Sequence, residues 1–248
     1  MRRRYDPRGT GHGIERLRGR RRRPGEPVEA GGKRGEQSRS DDQPRYETGT
    51  TIVGVRASDA VVLAADRRMS LGGRFTANKA VRKVERVHPT AAMAISGAVG
   101  PAQRLLASVR AEASLYASRR GEPLSVPALA RTAGHAVTGL PVAPLQGGVD
   151  DDGPRVSELD GSGSVLADAY AAGGSGLQVA YGVLERRFED GLSVEAATET
   201  ATAAVATASE RDTASGNGVT VATITEDGVA VESRAEAADA GDDTEGVA

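Results

Sequence analysis

The stretch "TTIVGVRASDAVVLAADRR", Thr50 to Arg68, decides how the rest of the chain is read. Two apolar runs, "TTIVGVRA" and "AVVLAADRR", meet at Ser58-Asp59, a turn-forming pair, and predict two neighbouring strands. The second run is apolar at nearly every position, whereas a strand with one wet face alternates. It therefore predicts a strand covered on both sides and a layered fold.

Upstream of this stretch the chemistry changes. Residues 1–49 carry 14 Lys+Arg against 8 Asp+Glu, a net +6, while residues 50–248 carry 18 against 26, a net −8. The leader includes "RGRRRRPG" and is dominated by Arg, Gly, Pro and Glu, with too little apolar surface to offset the entropy of ordering. Disorder is expected there, and the basic run reads as a solvated segment rather than as a nucleic-acid arm. The closing "AADAGDDTEGVA" reads as an acidic, flexible tail.

Downstream, "VRKVERV" and "AAMAISGAVG" predict a further strand pair. A helix follows with Leu106, Val109, Ala113 and Tyr116 on one face, then a second over residues 125–138. "QGGVDDDGPRVSELDGSGSV" predicts strands parted by Asp/Gly turns. A third helix after Gly176 sets Leu177, Ala180, Tyr181, Leu184 and Phe188 on one face, and a fourth, "SVEAATETATAAVATASERD", is capped by Ser193. "GVTVATITEDGVAVES" closes the chain as a hairpin turning at Asp227-Gly228. This order does not alternate strand and helix, which excludes Rossmann and barrel folds and predicts two antiparallel sheets between helical layers.

Composition narrows the chemistry. At 248 residues and 38% hydrophobic content the chain can bury one substantial core, and with 3% aromatics that core falls to Val, Ala and Leu. There is no Cys, which excludes disulfides and thiolate sites, and His12, His88 and His135 form no ligand pattern. No cofactor or metal is implied. No apolar run approaches the roughly 20 residues of a membrane span and no signal peptide is visible, so a soluble, cytoplasmic protein is expected. "GGSG" at 173–176 lacks the Lys and spacing of a phosphate loop.

Two features point to nucleophilic chemistry. A threonine hydroxyl is a weak nucleophile unless a base lies beside it, and an N-terminal threonine brings its own α-amine, with a pKa of about 7.7–8.0. Cleavage before Thr50 creates that pair, and Gly49 gives the cut an unhindered carbonyl. The second feature is lysine usage: 29 Arg stand against Lys33, Lys79 and Lys83. A Lys inside "VRKV" points to a task for a compact point charge that guanidinium does not perform.

"TGTTIVGV", "VVLAADRR", "VRKV", "AISGAVG", "AGGSGLQVAYGVLE" and "ERDTASGNG" resemble, in order and spacing, the blocks of proteasome β subunits, the archaeal type above all, across residues 48–233. The resemblance implies an α+β fold, the four-layer αββα sandwich of N-terminal nucleophile hydrolases, over residues 50–234. Residues 1–49 become a propeptide removed autocatalytically at Gly49-Thr50, and 235–248 a tail. It makes Thr50 the nucleophile of a threonine endopeptidase, Lys83 its neighbour and Asp66 the acid that orients the lysine, the ion pair keeping Lys83 charged. It assigns Ser175, Asp212 and Ser215 to hold the α-amine, and Gly97 to the oxyanion hole. Met69, Val81, Ile95 and Val99 match the specificity pocket, and their apolar character implies cleavage after hydrophobic residues. The implied partners are a homo-oligomeric β ring of seven copies, flanking α-subunit rings, an unfolding ATPase and unfolded polypeptide substrates, with no nucleic acid and no membrane.

Other readings stay open at this stage: a two-ring bacterial relative, a non-catalytic ring subunit, or a nucleic-acid binder driven by the leader. Taken singly, Asp66 reads as a partner of Arg67 or Arg68, Ser175 as a helix cap, and Asp212 and Ser215 as turn residues. One residue more than the family pattern falls near Gly72-Gly73, where a loop is expected to absorb it.

Overall fold

The structure is a computed structural model that describes residues 49–235. The expectations for the leader up to residue 48 and for the tail from residue 236 lie outside the described residues.

Strand β1 (Thr51–Arg56) and strand β2 (Val61–Asp66) pair antiparallel, as the opening stretch predicts. Their sheet is completed by β10 (Tyr170–Gly174), β11 (Val219–Thr225) and β12 (Gly228–Arg234), in the order β10-β1-β2-β11-β12. A second five-stranded antiparallel sheet runs β5 (Val84–His88), β6 (Ala91–Gly97), β7 (Val142–Asp150), β8 (Gly153–Leu159) and β9 (Val165–Asp168). Helices α1 (Val99–Arg120) and α2 (Val126–Val137) cover the second sheet, while α3 (Leu177–Arg187) and α4 (Val194–Ser209) cover the first.

Three apolar clusters separate these four layers. One lies between α3/α4 and the first sheet, one between the sheets, and one between the second sheet and α1/α2. β2 explains its own sequence: Val62 and Ala64 belong to the helix-side cluster, and Val61, Leu63 and Ala65 to the cluster between the sheets. A strand buried on both faces has no position at which a polar residue is tolerated without a partner. Its one polar residue is Asp66, at its end, where four donors satisfy the carboxylate. The sheets approach closely because small residues line their interface; a Cβ at Gly147 lies 2.6 Å from Val61 Cγ1. The core is built of Val, Ala, Leu and Ile with Met93, as the low aromatic content requires.

Several element boundaries differ from expectation, each for a local reason. The segment around Gly72-Gly73 is a hairpin rather than a loop, joining β3 (Met69–Leu71) to β4 (Phe75–Asn78). Both glycines have positive φ, 59° and 66°, a tight hairpin turn available at little cost to glycine alone. β7 starts at Val142, four residues ahead of "QGGV", and β10 lies in the small-residue run before "GSG", where no strand was expected. Lys83 precedes β5 instead of lying within it, and β2 stops before Arg67. The closing hairpin turns at Glu226-Asp227, since Gly228 already pairs with Thr225. In α1 Leu106, Val109 and Ala113 are buried, with Tyr116 only half-buried, and Leu177 of α3 stays exposed. Ser193 caps α4 by accepting from Ala196 N at 3.2 Å.

Candidate active site

Thr50 immediately precedes β1 at the edge of the sandwich and is buried. Its peptide bond to Gly49 is intact, so its nitrogen is a backbone amide. Lys83 Nζ donates to Thr50 Oγ1 at 2.9 Å and to Asp66 Oδ1 at 2.6 Å, placing the ammonium between hydroxyl and carboxylate. The Thr50 hydroxyl in turn donates to the Gly49 carbonyl oxygen at 2.7 Å.

Asp66 is held by four donors. Oδ1 accepts from Thr51 N (2.9 Å) as well as from Lys83, and Oδ2 accepts from Arg68 N (2.9 Å) and Gly216 N (3.0 Å). Its charged partner is Lys83, with neither Arg67 nor Arg68 contributing a guanidinium contact. The pair is nearly dry, with side-chain exposures of 6% for Lys83 and 0% for Asp66. Burial pulls the Lys83 pKa below its ordinary value, outweighing the Asp66 and Asp212 charges that raise it, and Arg68 adds to the lowering. The ion pair with Asp66 works against that lowering and aims the Lys83 amine at the Thr50 hydroxyl.

A second network touches the same residue from the other side. Thr50 N donates to Ser175 Oγ at 3.1 Å, and Ser175 Oγ and Ser215 Oγ each donate to Asp212 Oδ2 at 2.6 Å. Ser175 is thus not a helix cap; Gly176 occupies that position of α3. Asp212 and Ser215 sit in the loop between α4 and β11, which is tied down by Arg68: its Nε donates to Asn217 Oδ1 at 3.0 Å and Nη1 to Thr213 O at 2.9 Å.

Gly97 ends β6 with φ 107°, and a Cβ there lies 2.5 Å from the Pro141 carbonyl oxygen, so only glycine fits. Gly97, Thr50 and Lys83 open onto one cavity of about 90 Å³, whose walls include Met69, Val81, Ile95 and Val99. The structure thus brings Thr50, Asp66, Lys83, Gly97, Ser175, Asp212, Ser215 and the four apolar residues of the expected pocket to one place. It adds some that the sequence did not disclose. Ala102 and Leu106 of α1 also line the cavity, as does Glu85, which pairs with Arg110. Gly49 is fitted as closely, since a Cβ there lies 1.8 Å from Ala214 Cβ.

Comparison with known proteins fits this arrangement. Residues 46–224 match the family model described as proteasome subunit. The chain belongs to the proteasome family. It is 53% identical over 197 residues to the proteasome subunit beta of Halorhabdus utahensis, covering 78% of this chain and 84% of that one. Proteasome subunit beta 1 of Haloarcula marismortui is 50% identical over 197 residues, covering 78% and 82%. Proteasome subunit beta of Halobacterium salinarum is 49% identical over 198 residues, covering 79% and 82%. The four helices and two main antiparallel sheets are consistent with the αββα sandwich of N-terminal nucleophile hydrolases. Among the described residues of this proteasome subunit, no helix is long and apolar enough to cross a membrane.

Proposed function

We propose that this chain is a catalytic β subunit of a 20S proteasome core, a threonine endopeptidase that removes its own leader at Gly49-Thr50. The observation that carries the reading is Lys83 Nζ, 2.9 Å from Thr50 Oγ1 and 2.6 Å from Asp66 Oδ1 in a nearly dry site. A hydroxyl beside a lysine whose proton affinity is reduced is an activated nucleophile.

In self-processing, Thr50 Oγ1 attacks the Gly49 carbonyl carbon as its proton passes to Lys83 in its neutral amine form. The C–N bond breaks, the nitrogen takes up a proton, and an ester joins Gly49 to the Thr50 oxygen. Water hydrolyses that ester, freeing the leader and leaving Thr50 with an α-amine. In turnover, the same oxygen attacks a substrate carbonyl, the leaving amine takes a proton, and water releases the acyl group. Ser175, Asp212 and Ser215 hold the Thr50 nitrogen in place, Asp66 fixes Lys83, and the Gly97 backbone N–H serves the developing oxyanion.

The apolar side chains of Met69, Val81, Ile95 and Val99 favour cleavage after hydrophobic residues. The working particle is proposed as a cytoplasmic stack in which seven copies form each β ring between α-subunit rings, fed with unfolded polypeptides by an ATPase. An intact lysine, carboxylate and threonine constellation favours a catalytic over a purely structural ring subunit. The test is intact-mass measurement and N-terminal sequencing of the full chain co-expressed with an α subunit, beside Thr50→Ala. A chain starting at Thr50, absent from the variant, is the expected result; a full-length chain in the assembled particle overturns the reading. Efficient cleavage of peptides after Arg, with none after Leu or Tyr, overturns the proposed preference.

A further inference from the structure

Thr51 presents a chemical oddity. It is fully buried on the strand face whose next two positions are Val53 and Val55, both packed in the cluster under α3 and α4. Valine has the same shape as threonine and avoids burying a hydroxyl, so the hydroxyl needs a reason. Its partner is Ser215 Oγ, at 2.8 Å.

Proton counting gives that bond a direction. Asp212 Oδ2, as a carboxylate oxygen, accepts, and both Ser215 Oγ and Ser175 Oγ lie 2.6 Å from it. Each serine has one hydroxyl proton, so both protons are committed to Asp212. Ser215 then has only lone pairs left for Thr51, and Thr51 must be the donor. Ser175 likewise has only lone pairs for Thr50 N, which donates to it at 3.1 Å; its 3.4 Å approach to Thr50 O is the weaker alternative for its proton. The rotamer of Thr51 is walled in as well, since a Cβ on Gly176 lies 2.0 Å from Thr51 Oγ1. Meanwhile the Thr51 backbone N–H donates to Asp66 Oδ1, the oxygen that holds Lys83.

We propose that Thr51 is a positioning residue for the Thr50 nucleophile: its buried hydroxyl donates to Ser215 and so holds the Ser215 hydroxyl on Asp212, the carboxylate that also fixes Ser175 as the acceptor for the Thr50 nitrogen. The proposal rests on the reading of Thr50 as nucleophile. It makes the second residue of the mature chain a link between two hydrogen-bond systems, one through its backbone and one through its side chain. With the Thr51 donor gone, the Ser215 hydroxyl loses a partner that aligns it, and the Asp212 carboxylate loses a fixed donor that holds it in place against Ser175.

The test uses the full chain co-expressed with an α subunit as wild type, Thr51→Val, Thr51→Ser, Thr51→Ala and Thr50→Ala. Intact mass reports processing, and a fluorogenic peptide amide ending in leucine or tyrosine gives kcat and KM on the assembled particle. Thr51→Val is expected to lower kcat about ten- to hundredfold with KM within about threefold, the pattern of a lost transition-state alignment. Thr51→Ser, which keeps the hydroxyl, is expected to recover most of kcat. The Ser and Ala variants both lack the methyl group and differ only in the hydroxyl, so their ratio decides the matter even where valine prevents assembly. Equal kcat in Thr51→Val and wild type, or in Thr51→Ser and Thr51→Ala, overturns the role of Thr51 and leaves the catalytic reading standing. A wild-type chain that assembles without processing or activity overturns both.

Discussion

Replacing Asp66 by asparagine changes one atom and should cost far more than its size implies. Each carboxylate oxygen accepts two bonds, Oδ1 from Thr51 N and Lys83 Nζ and Oδ2 from Arg68 N and Gly216 N. The asparagine NH2 group must replace one of them, and whichever it replaces, its hydrogens face two donors. Two buried donors left without an acceptor cost about 1–3 kcal/mol each, about 4 kcal/mol in all. For a chain of this length about 3 °C of melting midpoint accompanies each kcal/mol, so the fall is about 12 °C. The comparison is made by thermal denaturation of particles assembled in a Thr50→Ala background, where both chains keep their leader and differences in processing cannot contribute. Asp66→Asn with Thr50 intact is also expected to arrive unprocessed. A melting midpoint within about 3 °C of the parent, or processing at the wild-type rate, refutes the claim that all four bonds are made and needed.

Gly97→Ala drives a methyl into the Pro141 carbonyl at a positive φ, and the kcat of processed particles is expected to fall about 10²–10³-fold as the donor moves off the oxyanion position. Peptide turnover within a few-fold of wild type would contradict that. Gly49→Ala collides with Ala214 and pushes the scissile carbonyl away from Thr50 Oγ1, so a mass-spectrometric time course should show self-cleavage slowed about a hundredfold; an unchanged rate refutes the fit. The lowered Lys83 pKa also fixes the sign of a pH effect. The unfolded chain keeps that proton up to about 10.5 while the folded chain releases it earlier, so between the folded value and 10.5 the unfolded state binds more protons and this lysine's contribution to stability rises with pH. Urea unfolding across that window, set against Lys83→Met, should show the wild type gaining relative to the variant as pH rises. A relative loss refutes the dominance of burial.

What the sequence disclosed depended on whether a residue's role is written in local pattern or in distant company. β2 was legible because two-faced burial leaves an uninterrupted apolar run, and Lys83 because lysine is rare in an arginine-rich chain. The hairpin of β3 and β4 was only half visible: the glycine pair was read as a loop, because its short flanking strands carry too few residues to show alternation. β10 was missed because "YAAGG" consists mostly of small residues chosen for close approach; a Cβ at Gly174 lies 2.0 Å from the Thr50 carbonyl oxygen. The direction of the Lys83 shift depends on how much protein surrounds it, which no window of sequence contains. The contacts of Arg68 with the loop after α4, and of the Thr51 hydroxyl, escaped notice for a related reason. An arginine among many, and a threonine in a strand, are what propensity alone supplies, and it is the loop after α4 that gives their side chains partners.

The dryness of the Lys83–Asp66 pair carries a consequence for the medium in which such a subunit works. Exposed pairs such as Arg56–Asp190 and Arg234–Glu232 are bathed by solvent ions, and at about 1 M salt the screening length shrinks to about 3 Å, shorter than most of their reach. The Lys83–Asp66 pair, with side-chain exposures of 6% and 0%, is screened much less. Salt weakens the exposed pairs first and the attraction between Lys83 and Asp66 least, an order set by where the charges sit rather than by how many there are.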